Sequence, residues 1–248
     1  MGFDVTGSNY QNAIIAQKKL PELMDLLSKY ISDPQVSVAA NDDFLTSREN
    51  CIQVSDFESD NRVDDHIRNI WLIAAGGGND GESYDLLLYV AARKVVLDSV
   101  EKRGKKGYLF LYADEPFFTV VNKDQVKAVF GDILEKSIPI EEIIEEARRN
   151  FNVFVVWPQD GYRHAREQYV KLFGEDSVIT LQHANLLCEL VASTIGLYED
   201  KATPDSVITD LVSVGVSKTD AGYISSALQK IEKTEDLVAS GGRKASRL

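Results

Sequence analysis

The sequence predicts an open, doubly wound α/β fold with a mostly parallel sheet and one antiparallel edge hairpin. Three observations carry this. Short β-prone runs alternate with helix-length amphipathic segments from the first residues to about Tyr198. Two of the runs, GYLFLYAD (107–114) and NVFVVWP (152–158), are nearly continuous in apolar residues, the pattern of a strand covered on both faces. A third pair, VSVAA (36–40) and CIQVSDF (51–57), lies close enough along the chain to form a hairpin through NDDFLTSREN.

Each element has its own local reason. Gln11 to Ile31 places Ile14, Ile15, Leu20, Leu23, Leu26, Leu27 and Tyr30 at helical spacing, with Pro21 expected to kink or split the helix. Val63 to Ala75 reads as a short helix carrying Ile67, Ile70 and Trp71, running into Gly76-Gly77-Gly78. Ser83 to Arg103 reads as one helix, started by Ser83 and stopped by Gly104. After the strand 107–114 come helices near 123–131 and 139–150, the second opening Pro139-Ile140-Glu141-Glu142 with acids in its first turn. The strand 152–158, a helix 160–173, the strand SVITLQ (177–182) and a helix 184–198 complete the main domain, residues 1–198. Residues 199–235 read as two short helices forming an appendage for docking or oligomerisation, and 236–248 as a disordered tail.

Composition narrows the function. Hydrophobic residues make up 44% of the 248 and charged residues 27%, as in ordinary globular domains. A net charge of −12 argues against nucleic acid as a partner, because phosphate binding needs clustered Lys and Arg. Only Cys51 and Cys188 are present, which excludes a disulfide framework and fits a reducing compartment. The start shows no basic segment followed by an apolar run, and no apolar stretch reaches the roughly 20 residues that span a bilayer. The expectation is a cytoplasmic protein without a membrane anchor.

Ligands of open α/β sheets bind at the carboxyl ends of the strands. Three polar stretches fall there: Asp4-Val5-Thr6-Gly7-Ser8, the loop Gly76-Gly77-Gly78-Asn79-Asp80-Gly81-Glu82-Ser83, and Tyr112-Ala113-Asp114-Glu115. They offer carboxylates and hydroxyls without His or Cys, a hard-oxygen set suited to Mg²⁺ or Mn²⁺ rather than zinc. Gly161-Tyr162-Arg163 could reach the same edge. His66, His164 and His183 lack ligand spacing and read as structural or surface residues, Trp71 and Trp157 as packing residues, and the acidic run Ile140–Arg149 as a solvated helix face. Each polar stretch alone also fits a cap, a turn or a strand terminator.

Taken in order along the chain, these segments resemble the von Willebrand factor A domain family over roughly residues 3–198. Asp4, Thr6 and Ser8 match the Asp-x-Ser/Thr-x-Ser opening of its metal-ion-dependent adhesion site (MIDAS), and GYLFLYAD resembles its fourth strand ending in the second metal-site acid, Asp114. The segment GGGNDGES resembles the Gly-Gly-Gly-Asp-Gly-Pro-Glu loop of intracellular bacterial members, with Asp80 best placed as donor and Asn79 or Ser83 as alternatives, since the usual threonine is absent. The resemblance implies a metal set of Asp4, Thr6, Ser8, Asp80 and Asp114, with a protein partner's Asp or Glu completing the coordination, in some members beside AAA-type ATPases. It implies binding rather than turnover, hence no catalytic residues. The family's first strand is longer than Met1-Gly2-Phe3, so here either the strand is short or the chain starts upstream. The rival reading is a haloacid-dehalogenase-like phosphoryl transferase, with Asp4 as nucleophile and Mg²⁺ bridging to phosphate.

Overall fold

The computed structural model describes residues 1–73 and 81–231. The glycine run with Asn79 and Asp80, and the expected tail 236–248, lie outside the described residues.

Strand β1 (Gly2–Asp4) leads into helix α1 (Tyr10–Lys19); a 3₁₀ turn at Leu20–Glu22 and helix α2 (Leu23–Leu27) follow. The break falls at Pro21, which sits in the first turn of the 3₁₀ segment, where its missing N–H costs least. Strand β2 (Ala39–Asn41), the short helix α3 (Phe44–Ser47) and β3 (Ile52–Val54) form the edge hairpin, Ala39 opposite Val54 in antiparallel register. Helix α4 (Arg62–Asn69) stops short of the expected Ala75. Gln17 Nε2 donates to the carbonyls of Ile67 and Ile70, taking up the carbonyls that another helical turn would have used.

The expected helix 83–103 is two: α5 (Tyr84–Arg93) and α6 (Asp98–Arg103). The β-branched pair Val95-Val96 disfavours continuation, and an extended Leu97 swings its side chain onto the second core. Gly104, at φ 64°, closes α6 in the left-handed conformation. Strand β4 (Gly107–Tyr112) precedes β5 (Val120–Val121), α7 (Lys123–Phe130), β6 (Ile138–Pro139) and α8 (Ile140–Asn150). β5 and β6 pair in a small antiparallel sheet that the sequence did not signal, two residues being too few for a periodic pattern. Then come β7 (Phe151–Pro158), α9 (Arg163–Phe173), β8 (Val178–Leu181), α10 (Leu187–Tyr198), α11 (Pro204–Ser213) and α12 (Lys218–Leu228).

The main sheet runs β3-β2-β1-β4-β7-β8, parallel throughout except for β3. Alternate residues feed two cores. Phe110, Tyr112, Phe154 and Val156 enter the one shared with α1, α2, α10, α11 and α12, whereas Leu109, Leu111, Val153, Val155 and Trp157 enter the one under α5, α8 and α9. Trp157 thus packs as expected, but Trp71 does not: it is 66% exposed, its backbone held by reciprocal hydrogen bonds to the Gln53 amide. Val207, Leu211, Ala221, Ile224 and Leu228 place α11 and α12 within the first core.

Candidate metal centre

β1 ends at Asp4 and β4 just before Asp114, so adjacent parallel strands deliver both acids to one edge of the sheet. Asp4 is fully buried. Its Oδ1 accepts the Thr6 N–H at 2.6 Å and its Oδ2 accepts the Tyr84 hydroxyl. Asn9 ties the turn down by donating to the Asp4 carbonyl at 3.2 Å. The Thr6 and Ser8 hydroxyls lie 3.2 Å apart, Thr6 buried and Ser8 exposed. Asp114 is 5% exposed, and its Oδ1 is buried without a hydrogen-bond partner.

Burial raises both carboxyls, Asp4 well above the ordinary carboxylate range, and the charge of Asp114 adds to the effect on Asp4. Hydrogen bonds from Thr6 and Tyr84 to Asp4, and between Asp114 and first Asp4, then Ser8, lower them only in part. Two carboxylates this close cannot both be ionised cheaply without a cation between them.

The second stretch meets the third through backbone. The Glu82 N–H donates to the Pro116 carbonyl at 2.9 Å, and Glu82 and Phe117 form a parallel bridge. Ser83, one of the alternatives for third ligand, is buried, and its Oγ accepts the Phe44 N–H at 2.9 Å. Asp80, the preferred one, lies outside the described residues. The loop after β7 does reach this edge, the Tyr162 N–H donating to the Asp114 carbonyl at 3.3 Å. Gly161 permits that approach, since a Cβ there would sit 3.2 Å from the Asp114 Cβ and 3.0 Å from the Pro158 carbonyl.

Sequence reading missed several groups here. Tyr84 spans two limbs, donating to Asp4 and accepting the Glu115 N–H at 3.4 Å. Asp42 and Asp43 come from the hairpin connection, where Asp43 caps α3 by accepting the Leu45 N–H. Glu82 and Asp85 are buried with unpartnered carboxyl oxygens. Burial and the charge of Asp4 push Glu82 up to about 10, and burial pushes Asp85 up to about 8. The N–H groups of Asp85 and Leu86 temper the latter without forming a well-shaped hydrogen bond. The only signal was the density of acids in NDDF and GESYD.

The donor set fits a hard divalent cation in one respect and falls short in another. It is all oxygen, mixes hydroxyl with carboxylate, and leaves one buried Asp114 oxygen unused. Among the described residues, however, no three His, Cys, Asp or Glu side chains converge as a metal cage, so any such site depends on Thr6 and Ser8, on water and on a donor from elsewhere.

No protein-family model matches the chain, and no curated protein matches it. Solved structures do. Proximal thread matrix protein 1 of the mussel byssus, in a form with a zinc-occupied MIDAS motif, superposes with TM-score 0.53 at 14% identity over 79% of this chain and 46% of its own. The pilus adhesin SpaC of Lactobacillus rhamnosus GG, in an open conformation, gives 0.53 at 10% identity over 80% and 29%. A von Willebrand factor type A structure from Catenulispora acidiphila gives 0.46 at 15% identity over 79% and 42%. The chain therefore spans less than half the length of each. At these identities the likeness is one of fold alone.

Proposed function

We propose that the chain is a protein-binding module that works through a divalent cation, Mg²⁺ or Mn²⁺, at the carboxyl edge of β1 and β4. The observation that carries this is the buried Asp4–Asp114 pair beside the Thr6 and Ser8 hydroxyls, with one Asp114 oxygen unpartnered. Thr6 and Ser8 would supply hydroxyl ligands. Asp4, already engaged through both oxygens, would act through water, and Asp114 directly or through water. Asp80 is the further donor that the sequence suggests. When bound, the cation would neutralise the acidic edge and accept a carboxylate from a partner.

That partner offers an Asp or Glu side chain. A place beside an AAA-type ATPase rests on the family resemblance alone. Cytoplasmic residence rests on the two buried free thiols, Cys51 and Cys188. Among the described residues no helix is long and apolar enough to cross a membrane.

The test is thermal denaturation with Mg²⁺ or Mn²⁺. Both should raise the Tm of the native chain, by mass action on the folded state, and leave Asp4→Ala unmoved. Absence of any metal-dependent shift in the native chain defeats the proposal. Capture of a partner should likewise be lost in chelator. The phosphoryl-transfer alternative is weaker because the would-be nucleophile is fully buried with both oxygens hydrogen-bonded. It requires release of phosphate from an aryl phosphate, lost in Asp4→Asn.

A further inference from the structure

The main sheet ends at β3, which is bonded on one side only, to β2. The Asp42 N–H donates to the Cys51 carbonyl at 2.7 Å and the Ser55 N–H to the Val38 carbonyl at 2.9 Å. In an antiparallel ladder such exchanges recur at every second residue, so between them Gln53 bonds to Ala40. Ile52 and Val54 therefore turn their N–H and C=O groups away from β2, and no described residue hydrogen-bonds to them.

Short length apart, β3 carries none of the devices that protect an edge: no Pro, no Lys and no bulge. Its flanks are apolar and wet instead. Val54 is 46% exposed on the face of the second core, and Ile52 on the same face packs there only in part. On the opposite face Gln53 holds the backbone of Trp71, whose indole is exposed.

We propose that β3 pairs with β3 of a second copy of this chain, antiparallel, about a two-fold axis through Gln53. This register sets Ile52 of each copy opposite Val54 of the other. The outward groups then exchange four hydrogen bonds, two for each Ile52–Val54 pair. The same pairs join β-branched side chains across the axis and cover the exposed part of Val54. On the other face the two Gln53 side chains meet at the axis with a Trp71 to either side.

Charge selects a second copy in this orientation. Arg48, ahead of the strand, is exposed, has its guanidinium 5.8 Å from the centre of the Phe44 ring, and pairs with no carboxylate among the described residues. Asp56, past the far end, is exposed and pairs with no cation among them. Antiparallel copies bring Arg48 of each toward Asp56 of the other, whereas parallel copies would set like against like. With four hydrogen bonds set against a net charge of −12 on each copy, the dimer belongs to the weak class of interfaces. This is strand addition at an edge, closed by symmetry, and it uses none of the groups of the metal proposal.

Sedimentation velocity on the full chain in chelator should show a monomer–dimer equilibrium. As concentration rises, hydrogen exchange should slow at the amides of Ile52 and Val54 and stay constant at Gln53, whose N–H already faces β2. Val54→Lys should weaken the dimer by about tenfold or more with the circular dichroism unchanged. Arg48→Asp and Asp56→Arg should each weaken it by about tenfold, and the double variant should return to within about threefold of the native chain. That recovery needs a folded chain, so it decides the matter even where Val54→Lys does not fold. A chain that stays monomeric at about 1 mM overturns the proposal. So does a dimer whose amides 52 and 54 exchange as in the monomer, or one that the single reversals leave intact or the double variant fails to restore.

Discussion

At the scale of single residues, Tyr84 decides how firmly the site is held. Its hydroxyl is the one described side-chain group that touches both Asp4 and the backbone after Asp114, and its ring packs on Phe117 at 4.9 Å between centroids. Groups that orient metal ligands from behind typically govern affinity by 10–100-fold. Tyr84→Phe keeps the ring and removes only the hydroxyl. It should weaken Mn²⁺ binding, measured by titration calorimetry, by about tenfold while the fold, read by circular dichroism, stays intact. Unchanged affinity would reduce Tyr84 to a packing residue. None of this was legible in the sequence, where Tyr84 is simply the first residue of an apolar helix. The Asp4-x-Thr6-x-Ser8 spacing was legible because those three residues interact locally, Thr6 N–H to Asp4 at 2.6 Å and Thr6 to Ser8 at 3.2 Å. Tyr84 lies 80 residues from Asp4, and only the tertiary fold brings them together.

At the scale of elements, strands buried on both faces announced themselves. β4 and β7 form a six-residue ladder because their apolar runs leave no solvated face. Breaks imposed by tertiary contacts did not: α4 ends where Gln17 takes its carbonyls, and α5 parts from α6 where Leu97 turns into the core. Residues 199–235, read from sequence as an appendage, include α11 and α12. Each is capped locally, α11 by a Thr203–Ser206 capping box and α12 by Ser217. Their apolar faces bury Val207, Leu211, Ile224 and Leu228 in the first core. Leu228 is fully buried, so Leu228→Ala should destabilise the whole chain by about 2–5 kcal/mol in a single urea transition. A separate early transition, with the main one unmoved, would instead mark α11 and α12 as an independently melting unit.

At the scale of the molecule, the net charge of −12 is not spread evenly. Asp4, Asp42, Asp43, Glu82, Asp85 and Asp114 are all buried, most of them gathered near the carboxyl edge of β1, β2 and β4. This arrangement fixes how stability responds to pH in the absence of metal. An acid whose pKa is raised by folding keeps its proton in the native state while the unfolded chain loses it, so its contribution is lost as pH climbs from the ordinary value to the raised one. For Glu82 that window runs from 4.5 to about 10, and for Asp85 from 3.8 to about 8. Asp4 and Asp114 are displaced in the same direction. The Met1 amino group opposes them, its pKa lowered from 8.0 to about 5, so that its contribution grows with pH over that interval. The acids outnumber it. In chelator, the Tm should therefore peak near pH 5 and fall toward pH 8, each buried acid costing at most about 1.4 kcal/mol per pH unit. Asp85→Asn should flatten the slope and stabilise the chain at pH 8. Saturating Mg²⁺ should flatten it as well, since the cation does for Asp4 and Asp114 what protons do at low pH. A chelated Tm that holds level or rises from pH 5 to 8 would mean that these carboxyls are charged in the native state, and that the acidic edge is balanced by something other than protons or a divalent ion.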